Sequence, residues 1–430
     1  MTSRFSWNFV GRFNSADENE PYYYGWVVVV ALLVIGVVSF GVSLSFGVFF
    51  KPLLEGFDLT RTLTAGIYSA YILLGSLFGV FSGWALDRYG ARMIVMLTGC
   101  FTGLSLIMTS RASAPWHLLV TYSLLLAIGV GPVYTIMMSA VSRWFTRRRV
   151  LAVGIVGSGM GIGPMLMAPL AAWLIARYDW RISFLVIGII ALVTIVPCAL
   201  LLKKAPIEVP VVTPEQPNNS IQGEFSIQEA ARTRNFWLLF AIWFFLACSL
   251  SLIMTHIVPY AIDSGVTPTR AAFILSLASG ISVLGRLLVG KVSDNIGRKP
   301  AAVGSVLLVA GAMVFLVRPL PPSNLLGLYL FAVIFGLFSG GIDPPIVAQF
   351  GDIFGLRHIG VIIGVLNLGW GAGAALGSAL GGYIFDISGS YIPAFLFVLV
   401  VLLMTAGLIL LLRMPATGWD RQRGAASPSA

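Results

Sequence analysis

Charge is what this sequence lacks most. Asp, Glu, Lys and Arg make up 10% of its 430 residues, against about 25% in an ordinary soluble domain. That is too little to coat a water-facing surface. Hydrophobic residues account for 58%, and the mean hydropathy is +0.92, so much of the surface is expected to face lipid. Cysteine and histidine are scarce, at three each. Cys100, Cys198 and Cys248 stand singly in apolar stretches with no CxxC pair, so no disulfide framework or zinc site is readable. His117, His256 and His358 are scattered, which argues against a metal cluster. No GxxxxGK[ST] phosphate loop occurs, so ATP hydrolysis is not indicated. No nucleophile–base constellation stands out, so neither an enzyme nor a cofactor is expected. The first twenty residues are polar and carry Asp17, Glu18 and Glu20, and no cleavable signal peptide is read there.

What is present is a series of long apolar runs. About twenty apolar residues cross a bilayer as a helix, and backbone groups in lipid must be paired internally. Twelve such runs can be drawn, at roughly 24–50, 63–84, 92–110, 117–140, 150–173, 182–202, 235–260, 269–290, 301–318, 325–348, 359–382 and 391–413. The expected fold class is an all-α membrane protein with twelve transmembrane helices.

The net charge of +10 does not mark a nucleic-acid binder, because the basic residues lie in short segments between apolar runs. With both termini on the cytoplasmic side, the cytoplasmic segments hold nineteen Lys and Arg and the opposite loops seven. That bias orients the chain with its termini inside. Arg147, Arg148 and Arg149 read as a positive anchor near anionic lipid.

The longest polar stretch, about 203–234, contains Pro206, Pro210, Pro214 and Pro217 and reads as a flexible linker. It divides the chain into a six-helix bundle over 1–202 and another over 235–430. Ser226-Ile-Gln-Glu229 has the form of a capping box and predicts a short helix leading into the seventh run. The halves echo each other. Gly83, Asp87 and Gly90 follow the second run, and Gly290, Asp294 and Gly297 follow the eighth, at the same spacing and 207 residues on. Glycine series also recur in the fifth run (Gly154, Gly157, Gly159, Gly161, Gly163) and the eleventh (Gly369, Gly371, Gly373, Gly377, Gly381). Small residues there let helices approach closely.

Gly83-Trp-Ala-Leu-Asp87-Arg88-Tyr-Gly90-Ala-Arg92 resembles the helix 2–3 signature of the major facilitator superfamily. A closer resemblance is to bacterial members of the monocarboxylate transporter and oxalate/formate antiporter families. It is carried by Gly25-Trp26, by Arg143-Trp144-Phe145 through Gly154, by Glu229 through Trp237, and by Asp352 through Gly360. The resemblance implies two six-helix bundles rocking about a mid-membrane site, with a substrate-binding arginine in helix 8. It implies a proton-coupled carrier of lactate- or pyruvate-like monocarboxylates in a bacterial inner membrane, functional as a monomer.

Arg286 is the strongest candidate. It lies inside the eighth run, where a charge is costly unless it has a partner or a cavity. Its guanidinium fork matches a carboxylate, and Ser282 lies one turn earlier on the same face. The bland alternative is an arginine snorkelling to the surface. Asp343, in Gly340-Gly341-Ile-Asp343-Pro344-Pro345, reads as a proton carrier, as a salt-bridge partner of Arg286, or as the cap of a helix broken by the prolines. His256 is a second proton-coupling candidate by its intrinsic pKa, or else a hydrogen-bonded structural histidine. Tyr122 and Asn367 are candidate polar wall residues. Asp87, Arg88 and Arg92, with Asp294 and Arg298, form a candidate cytoplasmic latch biasing the inward–outward equilibrium.

Three departures from the resembled families stand out. Ser282 occupies the place of an acid one turn before the arginine, Leu44 that of a helix 1 lysine, and Asn367 and Trp370 that of a basic residue in helix 11. A single central arginine fits a monoanion. The rival readings are an organic-anion antiporter, an efflux carrier of hydrophobic compounds, and a membrane sensor without turnover.

Overall fold

The structure is a computed structural model, and it describes residues 24–145, 149–203, 225–317, 325–354 and 359–412. Those residues hold twelve helices long and apolar enough to cross a membrane. In order they are Tyr24–Gly56, Arg61–Ser82, Ala91–Ser110, Pro115–Val141, Leu151–Arg177, Trp180–Leu200, Arg234–Asp263, Pro268–Ser293, Arg298–Val317, Leu325–Val347, Ile362–Ser388 and Ile392–Leu410, here spans 1 to 12. Among the described residues there is no strand. The large apolar side chains left exposed, such as Phe81, Val193, Ile387 and Val400, are what a lipid-facing surface requires.

Four spans depart from plain α-helix, span 9 among them, divided at Met313 between Arg298–Ala312 and Val314–Val317. Span 1 is interrupted at Ser45 and continues as Phe46–Gly56. Span 4 winds as a π-helix over Leu119–Leu125. Span 5 is divided at Ser158, between Arg149–Gly157 and Gly159–Arg177. Span 10, by contrast, runs unbroken through Pro344 and Pro345 to Phe354. Asp343 therefore lies within a helix and does not cap a broken one. The Ser226 capping box forms as read: Ser226 Oγ accepts from Glu229 N, and Ser226 N donates to the Glu229 carboxylate at 2.8 Å.

The chain groups into two compact units, Met1–Gln216 with Ile257–Gly280, and Pro217–His256 with Ile281–Ala430. The far end of span 7 and the near end of span 8 fall in the first unit.

Glycines set the packing inside each unit. In the first, span 1 lies against span 5, span 2 against span 4 and span 3 against span 6. A methyl group on Gly163 would stand 2.6 Å from Gly41 N, and one on Gly131 would stand 2.6 Å from Gly75 Cα. In the second, side chains at Gly373 and Gly377 would strike the Phe244 and Cys248 carbonyls of span 7, and one at Gly285 the Leu337 carbonyl of span 10. The pairing of spans 1–5 and 2–4 thus recurs as 7–11 and 8–10. The repeated motif turns on its last glycine in both copies. Gly90 has φ 78° and Gly297 φ 95°, a backbone region that only glycine enters without strain. Lys299, next in the second copy, donates to the carbonyls of Leu410 (2.6 Å) and Leu412 (3.0 Å), satisfying acceptors that the end of span 12 leaves over.

Candidate functional site

Span 8 has two faces. Leu284, Leu287 and Leu288 are 55–64% exposed, whereas Ser279, Ser282, Gly285 and Val289 are buried. Arg286 falls on the buried side of that division and is half-buried. It points toward span 10 and not outward among the exposed leucines. Its Nη2 stands 3.5 Å from Asp343 Oδ2. The backbones around the pair are in close contact, because side chains at Gly285 and Gly340 would strike the Leu337 and Ser282 carbonyls. Gly340 and Gly341 hold a further consequence. Pro344 and Pro345 carry no N–H to return to their carbonyls four residues back, so span 10 is locally rich in acceptors beside Asp343.

The pairing resolves one oddity of the sequence. An acid does stand beside Arg286, but on another helix: Asp343 of span 10. At 3.5 Å the pair is longer than the roughly 2.7–2.9 Å of a tight charge-assisted bond.

The other predicted residues fall into separate networks. His256 is fully buried, with Nε2 2.8 Å from the Ser378 carbonyl and Nδ1 3.2 Å from the Tyr391 hydroxyl. A carbonyl only accepts, so Nε2 carries a hydrogen, while Nδ1 accepts from the Tyr391 hydroxyl in the neutral ring and donates to it in the charged one. The ring fits because position 381 is glycine; a Cβ there would lie 2.6 Å from Nε2. Asn367 accepts a 3.4 Å bond from Trp243 Nε1, and Trp243 packs on Trp370 and Phe350.

Tyr122 belongs to the first unit and to the π-helical turn of span 4. Such turns are frequent at functional sites. Its ring lies among Phe46, Tyr71 and Phe184, at 5.3, 5.9 and 5.9 Å between centroids. Tyr71 donates to Ser43 Oγ at 2.8 Å. The Tyr122 hydroxyl is buried and, among the described residues, has no hydrogen-bond partner. An orphaned buried hydroxyl is costly.

Of the candidate cytoplasmic latch, Arg88 lies 5.7 Å above the Tyr89 ring and Arg92 is exposed. Asp87 and Asp294 are in helices, but their side chains lie outside the described ones. Among the described residues, no group of His, Cys, Asp and Glu is arranged to hold a metal.

One ionic cluster escaped the sequence reading. Asp263, the last residue of the span 7 helix, is bound by Lys51 Nζ at 2.5 Å and by Arg61 Nη2 at 2.6 Å. All three residues belong to the first unit. Each member ends or begins an apolar run, where a charge is ordinary, so only the tertiary contact marks it.

Comparison with known proteins agrees with this architecture. The sequence profile of the Major Facilitator Superfamily matches residues 31–329 and 263–429. Monocarboxylate transporter 13 of Bos taurus is 29% identical over 400 residues, covering 90% of this chain and 89% of its own length. Human monocarboxylate transporters 11 and 12 are 29% and 26% identical, covering 87% of this chain and 79% and 77% of their lengths. Among solved structures, a bacterial homologue of the human lysosomal transporter Spinster, inward-facing and unoccupied, superposes with a TM-score of 0.72. It is 16% identical, with 91% of this chain and 97% of that one covered, and so speaks for the fold. Twelve apolar helices in two glycine-packed halves, a repeated turn motif and a family profile spanning most of the length lead to one conclusion: this chain is an integral, multi-pass member of the major facilitator superfamily.

Proposed function

We propose that the protein is a secondary carrier of small monocarboxylates of the lactate and pyruvate kind, that Arg286 binds the carboxylate, and that Asp343 carries the coupled proton. The observation that carries the reading is the Arg286–Asp343 pair. A guanidinium on the buried face of a membrane helix, with a carboxylate 3.5 Å away, is a place where one carboxylate can be exchanged for another. The similarity to monocarboxylate transporters supports the same cargo class.

The exchange runs as follows. The anion's carboxylate takes the guanidinium, and Asp343 is released from its cation. A carboxylate left alone in a low-dielectric site favours its neutral form, so Asp343 takes up a proton. One anion and one proton then cross together, the charge of the site is unchanged, and the loaded carrier passes between its inward- and outward-open states. His256 is left out of this cycle, because its ring nitrogens are engaged by the Ser378 carbonyl and the Tyr391 hydroxyl, away from the Arg286–Asp343 pair. Tyr122 is assigned as a donor to the cargo, on the strength of its unanswered hydroxyl. Transport is proposed to need one chain.

Proteoliposomes with labelled lactate test this. Wild-type protein is expected to accumulate lactate down an imposed pH gradient. Asp343→Asn is expected to keep lactate-for-lactate exchange while losing gradient-driven accumulation. Undiminished accumulation by Asp343→Asn would remove the proton from that residue, and exchange-only flux by the wild type would make the protein an antiporter.

A further inference from the structure

With twelve spans among the described residues, the start of span 1 and the end of span 12 lie on one face of the membrane, and the end of span 1, the start of span 2 and the end of span 7 lie on the other. Lys51, Arg61 and Asp263 meet on that second face. The bonds join helices more than two hundred positions apart in sequence. We infer that Asp263 is the closing latch of the gate on that second face, with Lys51 and Arg61 as its two receiving posts.

Three observations combine in this. First, one carboxylate takes two cations, 2.5 and 2.6 Å away, from two different helices. A carboxylate with two oxygens serves both, Oδ1 to Lys51 and Oδ2 to Arg61. Second, the three side chains retain 13–27% exposure. They are close enough to water to be rehydrated when the bonds part, as a gate contact must be. Third, spans 7 and 8 each pass from one compact unit to the other, at His256/Ile257 and at Gly280/Ile281. Their segments on this face belong with spans 1 to 6. At Gly280, where span 8 changes unit, a side chain would meet Met165 Sδ of span 5 at 2.7 Å, so a small residue permits that approach too.

Closed, the Asp263 carboxylate holds one cation from span 1 and one from span 2. Open, it withdraws from both. Charge pairs present in one state and absent in the other shift the equilibrium by their differential energy. Removing the Asp263 charge therefore raises the population open on that face.

The inference rests on the carrier reading but is measured without any cargo. Spin labels at Glu55→Cys, on the exposed end of span 1, and Thr269→Cys, in the exposed first turn of span 8, report the separation across the latch. The purified full chain in lipid nanodiscs, with Cys100, Cys198 and Cys248 replaced by alanine, gives the reference distance distribution. Asp263→Asn is expected to add a second population longer by about 10 Å, roughly one helix diameter, at least threefold more populated than in the reference. Lys51→Gln/Arg61→Gln removes the latch from its other side and should give the same redistribution, so either variant that folds is sufficient. Arg61→Lys, which keeps the charge, should leave the distribution near the reference. An unchanged distribution in the neutralised variants would overturn the latch. Failure of lactate uptake would leave these distances untouched, so the two readings fail separately.

Discussion

The two halves of this carrier share a scaffold and differ at one stripe. The turn motif recurs 207 residues apart, with glycine at positive φ in both copies. The same offset maps Arg286 of span 8 onto Gly79 of span 2, and Ser282 onto Gly75. Gly75 and Gly79 bring span 2 against Gly131 of span 4, a contact between small groups with no charge. In the second half the corresponding stripe still brings span 8 against span 10, but through Gly285 and Gly340, which frees positions 282 and 286 for a hydroxyl and a guanidinium. The first half places its polarity instead on tyrosine hydroxyls, at Tyr68, Tyr71 and Tyr122. A duplicated scaffold has thus been specialised by moving the close-packing glycine off one position by a single residue. Where a repeat departs from itself without losing its packing, function is the natural place to look.

That comparison can be broken at several points. The largest expected effect is at the packing glycines. Gly285→Val drives a branched side chain into the Leu337 carbonyl, and overpacking of this kind costs about 1–3 kcal/mol or more. Loss of the folded fraction in a detergent thermal-stability assay checks it. Gly79→Val, whose Cβ would meet Gly131 O at 3.3 Å, should be milder, and an equal loss at both sites would mean the two stripes pack alike. Next come the turns. Gly90→Ala and Gly297→Ala each force a side chain into a glycine-only backbone region, at about 1–3 kcal/mol. The two should agree, since the motif copies share their geometry, and the same melting assay reads them.

The smallest effects separate the two tyrosines. Tyr71→Phe removes a bond to Ser43 and should cost about 0.5–1.5 kcal/mol. Tyr122→Phe removes a hydroxyl that has no partner among the described residues, so stability should stay level or rise while the apparent KM for lactate increases. A tyrosine whose loss helps the fold and harms transport is one that serves the cargo. If Tyr122→Phe instead destabilises like Tyr71→Phe and leaves KM alone, the hydroxyl is structural.

Much of this was legible before any coordinates. Spans announce themselves because lipid demands some twenty apolar residues in succession, and Arg286 stands out because the other charges of its helix, Arg270 and Lys291, lie toward the ends of the apolar run. The repeat was visible as Gly-Asp-Gly spacing. Three things were hidden for physical reasons. The Lys51–Asp263–Arg61 cluster joins residues at the ends of runs, where charges are unremarkable, and only long-range folding brings them together. The π-turn at Tyr122 arises in Leu-Val-Thr-Tyr-Ser-Leu-Leu, whose hydropathy is that of any span. The burial of His256 depends on a missing side chain at Gly381, 125 residues downstream, which no local window contains. Of the readings open for Asp343, the cap of a helix broken at Pro344-Pro345 falls away, since neighbouring helices can hold a proline-containing membrane helix in line.

The central claim is that a single guanidinium recognises a carboxylate. The most direct measurement is equilibrium binding of lactate and of its neutral amide, lactamide, to the purified protein, for the wild type and Arg286→Lys. A charge-assisted fork contributes about 1.5–3 kcal/mol, so the wild type should prefer lactate to lactamide by roughly tenfold or more, and Arg286→Lys should lose most of that preference. Equal binding of the two ligands by the wild type, or a preference for lactate that survives Arg286→Lys intact, would contradict it.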